Sequence, residues 1–327
     1  MNYFQKPIVI VSKCLEFEHC RWNGNIISSP IVKILKSHVE FRPICAEVEI
    51  ELGVPRNPVR LVIEGEELKM IQPATNKDFT NKMNEFAYNF LNSLENVDGF
   101  ILKAKSPSCG LYNTKYYQAA TKGAPKIEEG SGLFGKKVIQ MFPNIAIETE
   151  GRLTNFRIRE HWLIKLFTLA NWRKLKSSRS KQELINFHTK NKFLFMAYNQ
   201  NRMKALGRIV ANEERLNFED LVHIYEVNLN DLLKMPPEYS SHINVLMHAF
   251  GYFKKKLTFE EKAFFLDELE KYRTGCIPLF VLQNLLNSWI NRFDESYLRQ
   301  QSYFKPFPEE LINFDLLDTW RGRSYWI

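Results

Sequence analysis

Residues 7–14 read Pro-Ile-Val-Ile-Val-Ser-Lys-Cys, a short β-branched apolar run that stops just before a cysteine. A continuous apolar run without alternation is the pattern of a strand buried on both faces of a parallel sheet. Outward from it, Ser29 and Pro30 supply an N-cap and first-turn proline for a helix through about Ser37. Val39-Glu-Phe-Arg-Pro-Ile44 reads as a second strand and ends at Cys45. Arg60-Leu-Val-Ile-Glu64 reads as another. Asp78 to Leu94 has apolar residues Phe79, Met83, Phe86, Phe90 and Leu94 at helical spacing. Val97-Asp-Gly-Phe-Ile-Leu-Lys103 is a further strand, running into Ser106-Pro-Ser-Cys-Gly110. Strands alternating with helices predict an α/β domain with a mainly parallel, Rossmann-like sheet.

The texture changes after Asn155. Helical patterns follow at about 159–173, 181–197, 199–213, 218–233, 240–251, 258–273 and 278–291, and β-like runs largely stop. The expected organisation is an α/β domain over 1–155 and an all-α domain over 156–327.

Composition narrows the function classes. At 45% apolar and 25% charged residues, the chain is an ordinary globular protein and not a disordered one. No apolar run reaches the roughly 18 residues of a membrane span, so no membrane partner is expected. The N-terminus lacks a signal-peptide pattern, which makes a reducing, cytoplasmic setting the expectation. There is no P-loop, no G-x-G-x-x-G unit and no H-E-x-x-H, so nucleoside triphosphate, dinucleotide and zincin chemistries have no support.

The net charge of +8 is concentrated. Residues 156–220 carry 14 basic and 6 acidic side chains, whereas the flanking stretches nearly balance. A localised basic surface points to a polyanion such as nucleic acid, or to a merely solvated face. Candidate phosphate contacts are Arg157, Arg159, Arg173, Lys174, Lys176, Arg179, Lys181, Lys190, Lys192, Arg202, Lys204 and Arg208. Seven of them fall between 173 and 192, the expected platform. Trp162, Trp172, Phe187 and Tyr198 accompany them. Aromatic faces stack on unpaired bases, but at helical spacing they read more readily as core. His188 likewise reads first as a structural histidine.

Cys14, Cys45 and Cys109 each follow a strand, at the sheet edge where α/β folds bind ligands. Three thiolates hold a zinc or a cluster with one position open; the competing reading is three inert core cysteines. Cys20 and Cys276 have no matching context and read as spare thiols. Glu47, Ser106 and Ser108 lie close to these cysteines in sequence. They have the chemistry for proton transfer, and equally that of helix-start acids and turn hydroxyls.

Val11-Ser-Lys-Cys14, Arg21-Trp-Asn-Gly24, Pro43-Ile-Cys-Ala-Glu-Val48, Gly53-Val-Pro-Arg56, Lys105-Ser-Pro-Ser-Cys-Gly110, Gly130-Ser-Gly-Leu-Phe134 and Glu148-Thr-Glu-Gly-Arg-Leu153 resemble, in that order, the thiouracil desulfidase family. Phe187-His-Thr-Lys-Asn-Lys192, Leu206-Gly-Arg208, Met247-His-Ala-Phe-Gly-Tyr-Phe-Lys254 and Tyr297-Leu-Arg-Gln-Gln301 resemble a helical domain fused to it. The fused pair resembles the tRNA 4-thiouridine desulfidases. The resemblance implies a 4Fe–4S cluster held by Cys14, Cys45 and Cys109, with one iron open for the substrate's thiocarbonyl sulfur. It implies Glu47 as general base and proton shuttle, with Ser106 or else Ser108 assisting. The implied reaction converts 4-thiouridine in tRNA to uridine with release of sulfide, and the implied partner is thiolated tRNA. Two alternatives stand beside it: a desulfidase of free 2-thiouracil or thionucleosides, and a non-enzymatic metal- and RNA-binding protein.

Overall fold

A computed structural model describes residues 4–121 and 123–312; residues 313–327 of the expected helical domain lie outside the described residues. The α/β part runs β1 (Ile8–Ser12), α1 (Pro30–Leu35), β2 (Glu40–Ile44), α2 (Ala46–Glu49), β3 (Arg60–Glu64), β4 (Glu67–Gln72), β5 (Lys77–Asp78), α3 (Thr80–Asn92), β6 (Gly99–Leu102), β7 (Thr114–Tyr117), β8 (Lys126–Gly130), α4 (Leu133–Met141) and β9 (Ala146–Thr149).

The apolar run at 8–11 is buried throughout and forms the inner strand β1. It pairs in parallel with β2 on one side and β6 on the other, and β9 completes the sheet in the order β2-β1-β6-β9. β2 is mostly exposed and carries Pro43, as suits an edge strand. Met83, Ala87 and Leu91, four residues apart on α3, are buried in the core beneath Phe100 and Leu102. Phe86 and Phe90 stack on each other and lie close to Phe134 of α4.

One expectation is corrected. Arg60–Glu64 is a strand, but it lies in a second, mixed sheet of order β5-β4-β3-β7-β8. Glu64 pairs with Glu67 across a two-residue turn in which Gly65 has φ +65°, so β4 returns antiparallel. Hairpin closure is local, and it draws β3 away from the parallel sheet.

The helices are α5 (Phe156–Ser178), α6 (Lys181–Tyr198), α7 (Gln200–Ala211), α8 (Phe218–Leu232), α9 (Tyr239–Gly251), α10 (Phe259–Arg273), α11 (Leu279–Arg292) and α12 (Ser296–Arg299). By packing, one compact unit runs to Asn171 and takes in the segment from Pro308; the second is Trp172–Phe307. None of the described helices is long and apolar enough to cross a membrane.

In the second unit α6 is buried on most of its circumference, including Leu184, Phe187, His188 and Phe193 to Tyr198. Its last turns, Phe193 to Tyr198, are buried all round and sit in the middle of the bundle, while Lys190 and Lys192 stay exposed. Asn199 alone separates α6 from α7. Its N–H donates to the Phe195 carbonyl at 2.9 Å and its side chain caps the Arg202 N–H at 3.0 Å. Trp172, Phe187 and Tyr225 pack ring against ring, and Phe250 stacks on Phe265 with centroids 4.5 Å apart.

His188 is buried with Nδ1 3.1 Å from the Tyr225 hydroxyl. Burial, and then the Lys192 charge, push its pKa down to about 4. The unfolded chain therefore binds a proton that the folded one refuses. The histidine's contribution to stability is complete above about pH 6.5, falls as pH drops below that, and levels off below about pH 4. At pH 5 the loss is about 2 kcal/mol. Urea unfolding followed by circular dichroism will show a lower midpoint at pH 5 than at pH 7, and His188→Gln will lessen that dependence, His161 and His242, also pushed down to about 4 by burial, keeping the rest. Equal pH dependence in the two proteins overturns the assignment.

Candidate functional site

The parallel order decides which residues meet. Adjacent strands lie about 4.8 Å apart, so the C-terminal ends of β2, β1 and β6 are neighbours. Cys45 follows β2 directly and caps α2, Cys14 lies two residues past β1, and Cys109 lies in the loop after β6. From β1 the chain moves to one side for β2 and to the other for β6, the switch at which α/β sheets open a ligand crevice. Ser12 ties the two inner ends together, its hydroxyl accepting the Lys103 N–H at 2.9 Å.

The thiols interact. Contact with Cys20, followed by burial, pushes the Cys45 thiol far up. Burial pushes Cys109 up to about 12, with the Cys45 and Glu47 charges adding to it and the Ser12 and Ser108 hydroxyls opposing it. Cys20, read from sequence as a spare thiol, is a member of this group. It is 0% exposed, its carbonyl oxygen is 3.8 Å from Cys45 Sγ, and contact with Cys14 raises its pKa to about 11. Its position six residues after Cys14 gives no periodic signal; the fold of the 14–27 loop brings it in. Cys276 is exposed and lies in the second unit.

Glu47 joins this group through both oxygens. Oε1 accepts the Ser108 hydroxyl at 2.6 Å. Oε2 accepts Arg56 Nε and a terminal guanidinium N–H, both at 2.8 Å. Arg56 is nearly buried, and its other arm donates to the carbonyls of Cys20 and Gly53 at 2.9 Å. Ser106 Oγ lies 3.0 Å from Ser108 Oγ and accepts the Cys109 N–H at 3.2 Å. Ser108 is therefore the serine that touches Glu47, while Ser106 shapes the Cys109 loop. Arg56, quoted above only as part of a motif, is the cation that fixes the Glu47 carboxylate.

The Cys109 loop is held by backbone. Gly132 and Gly135 of the α4 start donate to the Gly110 and Ser108 carbonyls at 2.8 and 2.9 Å. A Cβ on Gly132 would fall 2.4 Å from Ser108 O, and one on Gly135 would fall 2.3 Å from Gly110 O. On the far side Glu150 accepts the Ala104 N–H at 2.7 Å and pairs with Lys103 at 2.5 Å.

The donor chemistry suits an iron–sulfur cluster: soft thiols from three adjacent strand ends, beside a carboxylate. Cys14 and Cys45 each contact Cys20, and among the described residues no set of three or more His, Cys, Asp or Glu side chains has the spacing to hold a metal ion as it stands.

Residues 9–150 match the family described as 2-thiouracil desulfurase. This half carries the sequence pattern of that family. Residues 192–308 match a second family, described as a protein of unknown function, DUF1722. An uncharacterized Escherichia coli K12 protein, YbgA, is 28% identical over 154 residues, which is 46% of this chain and 91% of that one. A solved structure of the 4Fe–4S-dependent thiouracil desulfidase TudS aligns with a TM-score of 0.36 at 24% identity, over 46% of this chain and 94% of that one.

Beyond the thiol group, the expected phosphate contacts scatter. Arg159 is a correction: it is 1% exposed and donates to the Leu153 and Thr154 carbonyls at 2.9 and 3.1 Å, inside the protein. Its spacing from Arg157 on α5 turns it inward while Arg157 is exposed. Lys176 pairs with Glu226 at 2.7 Å, Arg179 with Glu219 at 3.8 Å, and Arg202 with Asp231 at 2.7 Å. Arg173 is half-buried and has interactions of its own. Lys174, Lys190, Lys192 and Arg208 are exposed. Trp162, Trp172, Phe187 and Tyr198 are all buried, as core aromatics.

Alanine in place of a helix-interior glycine ordinarily stabilises. At Gly135 the Cβ meets backbone, so Gly135→Ala will cost about 1–3 kcal/mol. Gly151→Ala, whose Cβ would meet only Ala104 Cβ at 3.8 Å, will leave the melting temperature unchanged. Thermal unfolding of both variants checks this; equal effects overturn the close-approach argument.

Proposed function

We propose that this chain is an iron–sulfur-dependent desulfidase that converts 4-thiouridine in tRNA to uridine with release of sulfide. The observation that carries the chemical half is the convergence of Cys14, Cys45 and Cys109 at one sheet edge with Glu47 and Ser108, inside a 2-thiouracil desulfurase domain. Cys14, Cys45 and Cys109 would hold a 4Fe–4S cluster. When bound, it supplies a soft Lewis acid for a thiocarbonyl sulfur.

The chain's own groups do the rest. Glu47 takes a proton from the attacking water, whose oxygen ends on the ring carbon while sulfur leaves as sulfide. Ser108, 2.6 Å from Glu47 Oε1, hands protons to and from that oxygen. Arg56 holds the other carboxylate oxygen and so orients Glu47. The RNA half of the proposal rests on the basic excess of residues 156–220 and on a helical domain that a desulfidase of free bases does not need. A second reading, desulfuration of free 2-thiouracil, is favoured by one fact: every residue assigned to the chemistry lies within 9–150.

Anaerobic preparation will yield about four irons and four acid-labile sulfides per chain. Incubation with 4-thiouridine-containing tRNA will remove its near-ultraviolet absorbance and release sulfide. Cys109→Ala will abolish both iron and activity. Glu47→Gln will keep iron and lose about 10²–10⁴-fold in rate. Sulfide from 2-thiouracil but not from tRNA supports the second reading, and no iron after anaerobic reconstitution overturns both.

A further inference from the structure

The second unit contains a cleft of about 980 Å³ that the chemistry above does not use. That volume suits a small-molecule or nucleotide site. Three helical segments line it, each with two residues four apart and therefore on one face. α6 brings His188 and Lys192, α7 brings Lys204 and Arg208, and the end of α9 brings His248 and Tyr252. Tyr297 of α12 closes the aromatic side, its ring stacked on Tyr252 with centroids 5.8 Å apart and planes at 16°. Phe193 meets both tyrosines edge-on, at 6.3 and 6.2 Å, and supports them from the core.

Three features give the cleft a ligand class. First, no acidic side chain lines it among the described residues. Second, Lys192, Lys204 and Arg208 are exposed and, among the described residues, in no salt bridge, whereas Lys176, Arg179 and Arg202 each have a carboxylate partner. Cations lined up without counter-charge favour an anion. Third, Tyr252, 43% exposed as a residue, lines the same cleft as those cations. A tyrosine ring is a stacking face for a planar base. The floor between the cations is His188, which faces Gly207: a Cβ there would lie 3.3 Å from His188 Nε2, so any larger residue would press on the ring.

We propose that this cleft binds an unpaired nucleotide of an RNA strand, with Lys192, Lys204 and Arg208 on its phosphates and Tyr252 and Tyr297 against its base. The proposal deepens the reading of RNA as substrate and rests on it. Of the seven cations between 173 and 192 it keeps only Lys192, and it joins to it Lys204 and Arg208 of α7 and the end of α9. Free nucleotide and RNA strand share the required chemistry, and competition tells them apart.

The test uses the full chain and fluorescein-labelled hexauridylate, read by anisotropy from 50 to 200 mM salt. A Lys204→Ala/Arg208→Ala double variant will bind about tenfold more weakly, and its plot of log affinity against log salt will be shallower by about 1.4, two phosphate contacts' worth. Tyr252→Ala will lose about fivefold or more with the salt slope unchanged, because stacking releases no counterions. Tyr252→Phe will bind as the wild type does. Lys271→Ala, exposed on α10 outside the cleft, will not change affinity. Displacement of the probe by unlabelled hexauridylate at far lower concentration than by uridine 5′-monophosphate assigns the cleft to a strand; equal potency assigns it to a free nucleotide and overturns the RNA proposal. Wild-type binding by the double variant and Tyr252→Ala, or an equal loss in Lys271→Ala, also overturns it. The two proposals fail separately. Loss of probe binding in the cleft variants, with no sulfide from thiolated tRNA in the wild type, leaves the cleft and removes the desulfidase. Sulfide release with unaltered probe binding does the reverse.

Discussion

The parallel register of β2, β1 and β6 is the constraint on which the first half depends. Val9 pairs with Phe41 on one side and with Gly99 on the other, so three strands end together and in one direction. An antiparallel arrangement of the same segments would send one cysteine to the opposite edge. Gaps of 31 and 64 residues between the cysteines close because each βα crossover returns the chain to the same edge. The cysteines themselves contribute little to the fold; it is the buried run at 8–11 that places them.

Around that edge, polar groups are joined and not isolated. Arg56 links the Glu47 carboxylate to the carbonyl of Cys20, and Ser108 links the same carboxylate to the loop of Cys109. One carboxylate is thus tied to two of the segments that carry thiols. Buried polar groups satisfied in this way hold a single geometry. Removing one partner would leave a desolvated charge behind.

Much of this was legible in the sequence. The buried strand, the helix over 80–92, the switch to all-helical texture and seven long helices follow from period and punctuation, and their ends differ from the expected ones by a few residues. The second sheet was missed because β5, β7 and β8 are short, mostly polar segments whose pairing comes from neighbours and not from hydrophobic pattern. The Gly65-Glu66 turn was the available clue, since a glycine-led two-residue turn between two strand-like runs marks a hairpin. Cys20 and Arg56 were passed over because loop packing places them. Charge density pointed to 173–192, yet it counts cations without their partners: Lys176 and Arg179 have carboxylates that only the tertiary structure brings near.

The single-residue corner at Asn199 has a thermodynamic side. Lys192 and Arg208 are 16 positions apart in sequence, yet no loop of variable shape lies between them; both ride on helices locked by the Asn199 cap. Cations on a free loop must be ordered when an anion arrives, and that ordering subtracts from affinity. Here most of the backbone order is set when the bundle folds. An anion entering the cleft would meet charges already in position, and the ordering left to bind it would fall on side chains.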